Sequence, residues 1–214
     1  MSKSDSPEIR NIKSPRKQRG VAPEQIGDLR EWLIDMPGSD LTEWDRLPDI
    51  GLYMDQILTL MDRQLAFYRR DAGDKILTQP MINNYTKDGL LPRATDKKYS
   101  QGHLALLSIL CSLKPVLSIS DLTVLLENAQ IGSNEEQLYR YFLCVQQDAI
   151  EKCRSEILPF IDDMISAKSV TAEQKDADRR ELARTALCLA VDARVRVMLT
   201  QKILDLLDQT AETK

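Results

Sequence analysis

The sequence predicts a mainly α-helical chain: a head of short helices with a small β wing, followed by a C-terminal helical bundle. Three observations lead there. Among 214 residues Gly (8), Pro (9) and aromatics (5%) are scarce, while Leu, Ala, Glu, Lys and Arg abound, so turn formers are few and helix formers many. Apolar residues recur at helical spacing along most of the chain. One stretch, residues 90–99, breaks that pattern with Pro92, a polar turn at Ala94–Asp96 and a short extended run on each side, which is the pattern of a small hairpin.

Residues 1–22, rich in Ser, Lys and Arg with Pro7 and Pro15, read as a disordered basic arm. Residues 24–35 place Ile26, Leu29 and Leu33 at helical spacing, and Pro37-Gly38 ends that segment. Leu41 to Asp49 reads as a short helical turn and loop anchored by Trp44 and Leu47. A helix over 52–69 carries Leu52, Tyr53, Gln56, Ile57, Leu60, Met61, Leu65 and Tyr68 on one stripe. Thr78 is placed to cap a short helix, 79–88, with Pro80 in its first turn and Gly89 supplying the left-handed stop. A helix this short depends on packing rather than propensity. After the wing, Ser100 caps a helix over 101–113, and Lys114-Pro115 interrupts it. Ser118-Ile119-Ser120-Asp121 has the form of a capping box and opens 119–128.

Beyond Gly132 the pattern is purely helical. Asn134 starts a helix through about Cys153, and Pro159 marks a break or the first turn of another. Thr171-Ala172-Glu173-Gln174, a second capping box, begins the longest run, to about Asp208. One face of it carries Leu182, Ala186, Leu189, Ala193, Val197, Leu204 and Leu207. A second line adds Leu187, Val191, Val195, Met198, Ile203 and Leu206. So wide an apolar surface suits a bundle or a subunit interface. The expected organisation is therefore an arm (1–22), a head with an N-terminal helical extension (23–130) and an all-helical part assigned to dimerisation (131–214).

Several function classes are set aside. No run of about 18 apolar residues offers a membrane span, and the polar N-terminus has no secretory pattern, so a cytoplasmic protein is expected. The single histidine, His103, cannot supply a two-His metal site. Cys111, Cys144, Cys153 and Cys188 form no C-x-x-C pair and sit in apolar stretches, so buried free thiols are expected. No glycine-rich phosphate loop, H-E-x-x-H or G-x-S-x-G occurs. Asp162-Asp163 and Glu135-Glu136 are helix neighbours that do not share a face. Neither an enzyme nor a cofactor is expected.

The net charge of −4 hides an uneven distribution. Residues 1–20 carry +4, 21–67 carry −7, 68–99 carry +3 and 100–214 carry −4. Screening limits the reach of distant acids to about 8–10 Å, so a basic stretch attracts phosphates whatever the total. The element order helix, turn, short capped helix, two-stranded wing, helix, helix is a winged helix-turn-helix arrangement. A short helix fits the major groove of B-DNA. Asn83 and Asn84 can read adenine with paired hydrogen bonds, and Gln79, next to Thr78 at the helix start, can do the same. Lys87, Arg93, Lys97 and Lys98 suit phosphates, and Tyr85 and Tyr99 can donate to phosphate oxygens. Each has a plainer reading: Asn83-Asn84 as a solvated face, Lys97-Lys98 as a polar turn, Tyr85 and Tyr99 as packing residues. The basic arm is either a solvated tail or a further backbone contact.

Residues 76–127 resemble the head of MerR-type transcription regulators. The resemblance rests on Tyr85-Thr86-Lys87-Asp88-Gly89-Leu90-Leu91-Pro92-Arg93, on Lys97-Lys98-Tyr99-Ser100 and on Leu117-Ser118-Ile119-Ser120-Asp121-Leu122. More narrowly, Leu47-Pro48-Asp49-Ile50-Gly51-Leu52-Tyr53-Met54-Asp55-Gln56, Ile76-Leu77-Thr78 and Met81-Ile82-Asn83-Asn84-Tyr85 resemble a bacterial family catalogued only as a domain of unknown function and grouped with MerR-like regulators. Asn83-Asn84 stand where MerR proteins have Arg-Tyr, Lys97 stands at the wing arginine, and the MerR coiled coil is not recognisable. The resemblance implies binding of double-stranded DNA and regulation of transcription. It does not imply promoter untwisting, or metal or drug sensing. The expected function is thus a sequence-specific, homodimeric DNA-binding regulator, associated with the nucleoid when bound. The alternative is a helical module whose winged part binds a protein. Tyr139, Tyr141, Phe142 and Phe160 either pack the core or line a pocket for an unidentified small-molecule effector.

Overall fold

A computed structural model describes residues 21–36, 41–69, 71, 73–167 and 171–211. The basic arm up to residue 20 and the Pro37-Gly38 stop lie outside the described residues. Among those described there are seven α-helices, two short 3₁₀ turns and no β-strand. The chain is mainly helical, and among the described residues no helix is long and apolar enough to cross a membrane.

Helix α1 (Pro23–Asp35) opens with Pro23 in its first turn, and the Ala22 N–H donates to the Gln25 side chain at 2.9 Å. The next helix, α2 (Met54–Gln64), is shorter than the expected 52–69. Its start is displaced because Leu52 is drawn into a backbone bridge with Tyr99, and its end tightens into a 3₁₀ turn at Ala66–Tyr68. Then come α3 (Gln79–Lys87), α4 (Gln101–Leu113) and α5 (Ile119–Ala129), close to the expected limits. At α5 the Asp121 N–H donates to Ser118 Oγ (3.1 Å) and the Ser118 N–H donates to Asp121 Oδ2 (3.2 Å), the reciprocal capping the sequence predicts.

One continuous helix, α6 (Glu135–Ser166), replaces the two expected, with Pro159 inside it. A proline costs a helix one hydrogen bond, but here flanking residues are held from outside. Ile157, Leu158, Phe160, Ile161 and Met164 pack against Ile26, Leu29 and Leu33 of α1. Arg30 Nε donates to Asp162 Oδ1 at 2.5 Å. Arg154 donates to the carbonyls of Leu33 and Met36, satisfying the end of α1 with a cation. The last helix, α7 (Ala172–Ala211), begins with the Gln174 N–H donating to Thr171 Oγ1 at 3.2 Å.

The main core gathers buried residues from α2, α3, α4 and α5 with Tyr139 of α6 and Leu204 of α7. Tyr139 reaches it by donating its hydroxyl to the Thr42 carbonyl (2.8 Å), and its ring tilts against Trp44. The smaller core lies between α1 and α6, joined by Leu182 of α7. The C-terminal helices therefore do not close a bundle around each other: α6 packs on α1 and α4, and α7 on α5. Between Leu182 and Leu204 the apolar surface of α7 is left open, with Leu187, Val191, Val195, Met198 and Leu199 each more than half exposed. The same opening corrects the cysteine expectation. Cys111 is buried, its thiol pushed up to about 12 by burial. Cys144 and Cys188 are exposed and Cys153 is half-buried, because α6 and α7 are uncovered at those positions.

Candidate functional site

Helix α3 and the loop after it hold the residues singled out from sequence. Two side chains root the helix: Ile82 is fully buried and Tyr85 nearly so. Their spacing of three puts both on one side. On the other side Gln79, Pro80, Asn83, Asn84 and Lys87 are all exposed and recur every four residues or so, forming one solvent-facing stripe. Thr78 occupies the N-cap position with extended backbone, but its hydroxyl makes no capping bond and it is half-buried.

The stop of α3 has the expected form. Gly89 takes φ +79°, where an L side chain is strained. The Leu90 N–H donates to the Tyr85 carbonyl at 2.9 Å and the Gly89 N–H to the Thr86 carbonyl at 3.4 Å, the paired bonds of a Schellman cap. Leu90 and Leu91 then turn inward and are buried.

The expected two-stranded wing shrinks to a tight turn. The Thr95 and Lys98 backbones exchange hydrogen bonds at 3.1 and 2.9 Å around Asp96 (φ 50°) and Lys97 (φ 62°). Two successive left-handed residues are the signature of the hairpin turn that matches strand twist. No ladder follows, because the next residue pairs elsewhere: Tyr99 and Leu52 exchange two bonds of 2.9 Å. The turn is thereby tied to the segment ahead of α2 instead of to a second wing strand. Lys98 lies across Gly51, where an added Cβ would stand 2.9 Å from Lys98 Cβ. Its ammonium sits 5.6 Å from the centre of the Tyr53 ring.

Two sequence-selected residues leave the surface set. Tyr85 and Tyr99 are both buried, and the Tyr85 hydroxyl is sealed from solvent, so it cannot serve a phosphate there. Tyr85 Oη has no hydrogen-bond partner among the described residues, and burial pushes its pKa up to about 12. Burial raises Tyr99 as well. Packing claimed both rings, as expected for large side chains on the inner face of short elements. Arg93, Lys97 and Lys98 are exposed like Lys87, and within 79–99 these four bases outnumber the acids Asp88 and Asp96.

One residue that matters was visible only as a rarity. His103 is buried at the third position of α4. Its Nδ1 accepts from the Ser100 N–H at 3.1 Å, and its Nε2 lies 3.1 Å from the Pro92 carbonyl, to which it donates. With Nδ1 as acceptor the ring is neutral and carries its proton on Nε2. The ring of Tyr99 meets it edge-on at 5.3 Å. Its pKa is lowered, mainly by burial, against opposing effects of the Pro92 and Arg93 backbone and of Glu135. The Ser-x-x-His spacing was the available signal, but capping boxes are recognised by Glu or Gln at that place. His103 thus clasps the loop after α3 to the start of α4. Gln101 does the same for the segment before α2, donating to the Trp44 carbonyl at 2.8 Å.

Of the four aromatic residues read as core or pocket lining, Tyr139 is in the main core and Phe160 in the smaller one. Tyr141 and Phe142 border an apolar cavity of about 420 Å³ between α4, α5 and α6.

Residues 42–142, 101 of the 214, match the family model of a domain of unknown function, DUF1836. That span runs from the Thr42 contact of Tyr139 to the first quarter of α6, which is the part of α6 that enters the main core. No curated protein and no solved structure matches the chain.

Proposed function

We propose that the chain is a MerR-like, sequence-specific DNA-binding regulator of transcription that acts as a homodimer. Helix α3 enters the major groove and the loop 90–99 rests on the phosphate backbone in the manner of a wing. The observation that carries this reading is the division of α3 into a buried side, Ile82 and Tyr85, and an exposed amide-rich side, Gln79, Asn83 and Asn84. Amides can make paired hydrogen bonds to adenine in the major groove. With side chains an α-helix is about 10–12 Å across, which fits a groove about 12 Å wide. Lys87, Arg93, Lys97 and Lys98 are the phosphate contacts, with no role for the sealed hydroxyl of Tyr85. The protein would then work in the cytoplasm, on the nucleoid.

A single head of this size gives too little surface for tight site-specific binding, so pairing belongs to the proposal. The open face of α7 supports it. Leu187→Ser with Val195→Ser is expected to shift the sedimenting species from dimer to monomer.

Binding to genomic DNA fragments, measured against salt, tests the reading. Four phosphate contacts per protomer predict a slope of log K on log salt near about −7 for a dimer. A slope near zero refutes DNA binding. Asn83→Ala with Asn84→Ala should relax sequence preference, while Lys97→Ala with Lys98→Ala should weaken all sequences alike. The same open face of α7 also favours a second reading, a helical module that binds a protein partner. Recovery of a stoichiometric partner with no DNA retention at low salt would select it.

A further inference from the structure

We infer that the cavity between α4, α5 and α6 binds a small, uncharged, hydrocarbon-rich molecule of about two or three rings, or a chain of equal bulk. Its volume, about 420 Å³, lies within the range of small-molecule sites. It is nearly three times the roughly 150 Å³ of an engineered apolar cavity that takes up benzene. Ile109 and Leu113 of α4, Leu125 of α5, and Leu138, Phe142 and Val145 of α6 form its walls.

Two of the polar side chains at its edge hold partners. Ser112 Oγ donates to the Ser108 carbonyl at 2.7 Å, and Gln146 Nε2 donates to Tyr68 Oη at 2.5 Å. Gln146 Oε1 has no partner among the described residues and is sealed from solvent. Among the described residues no charged side chain lines the space. A charged or strongly polar ligand would lose its hydration without compensation there, whereas an apolar one exchanges water for close contacts with the three helices. A second copy of the chain is a poorer occupant. The longest open apolar face is on α7, and no α7 residue lines this cavity, whose own exposed large apolar side chains are only Tyr68, Tyr141 and Val145, so pairing through α7 leaves it vacant. Helix α4 shares the core of Leu104 and Leu107 with Ile82 and Tyr85 of α3. An occupant would therefore press on a helix that supports α3; only that consequence rests on the DNA reading.

Titration of the full chain with N-phenyl-1-naphthylamine, a dye that brightens in apolar surroundings, tests the inference without DNA. Saturable one-to-one binding is expected. Ala129→Trp and Ala149→Trp, which grow rings into the cavity from α5 and α6, should each weaken it at least tenfold with the helical circular dichroism unchanged. If one of these fails to fold, the other decides. Ala183→Trp on α7, and Leu187→Ser with Val195→Ser on its open face, should leave the dye Kd within twofold. Non-saturable binding, an unchanged Kd in a folded filling variant, or loss of binding in the α7 variants would overturn the inference.

Discussion

Replacing His103 probes how the loop after α3 is held. The ring bonds through both nitrogens: the single lone pair of Nδ1 is shared by the Ser100 N–H and the Ser100 hydroxyl, and Nε2 donates to the Pro92 carbonyl. At about 1 kcal/mol each, with a small cavity added, His103→Ala should cost about 2–3 kcal/mol. That is a fall in Tm of about 5–10 °C at this chain length. His103→Gln separates the two bonds. A glutamine at the third helical position can still accept from the Ser100 N–H but cannot span to Pro92, so it should cost only about 1 kcal/mol. The two variants also remove a proton-linked effect of known sign. Burial holds the native ring below its ordinary 6.5, so between that lowered value and 6.5 the unfolded chain binds more protons than the native one. Stability contributed by the neutral ring is complete above pH 6.5 and is lost as pH falls through the lowered pKa. Urea unfolding at intervals from pH 8 to pH 5 should show wild-type stability declining below about 6.5. The decline should be shallower in both variants, with only the carboxylates left to titrate. Equal slopes in wild type and His103→Gln would refute the clasp.

Three further outcomes test the packing around the site. Gly51→Ala forces a Cβ to 2.9 Å from Lys98 Cβ, and Gly89→Ala places a side chain at φ +79°; each should lower stability by about 1–2 kcal/mol in thermal melts. Tyr85→Phe deletes a buried hydroxyl that has no partner and should hold or raise stability, by up to about 1 kcal/mol, because that group is desolvated without return. Ile82→Ala, at a fully buried position, should cost about 2–5 kcal/mol, whereas Asn83→Ala on the opposite side of the same helix should stay within about 0.5 kcal/mol in chemical denaturation.

Local chemistry made several elements legible. Ser118 with Asp121 at the start of α5, Ser100 ahead of α4 and Gly89 after α3 each act within a few residues of their own position, so their spacing carries the information. The four exposed bases and the amide stripe were legible for the same reason: helix period and charge are read along the chain. Tyr85 and Tyr99 were not, since a ring at a half-apolar position goes inward or outward according to what packs above it. Pro159 was misjudged on similar grounds. Its local cost is real, but α1 braces α6 on both sides of it.

What the sequence by itself determined is the helical character of nearly every segment, the capping box of α5, the glycine stop of α3 and the concentration of positive charge around α3, because backbone propensity, capping and period are short-range. What only the tertiary structure decided is which partner each surface found. Tyr99 paired with Leu52 and so reduced the wing to a turn. His103 became a clasp because Pro92 came within reach of its Nε2. The wide apolar surface of α7 was legible, but its isolation between Leu182 and Leu204 was not. Burial depends on contacts between residues far apart in the chain, and no local pattern specifies where those neighbours will lie.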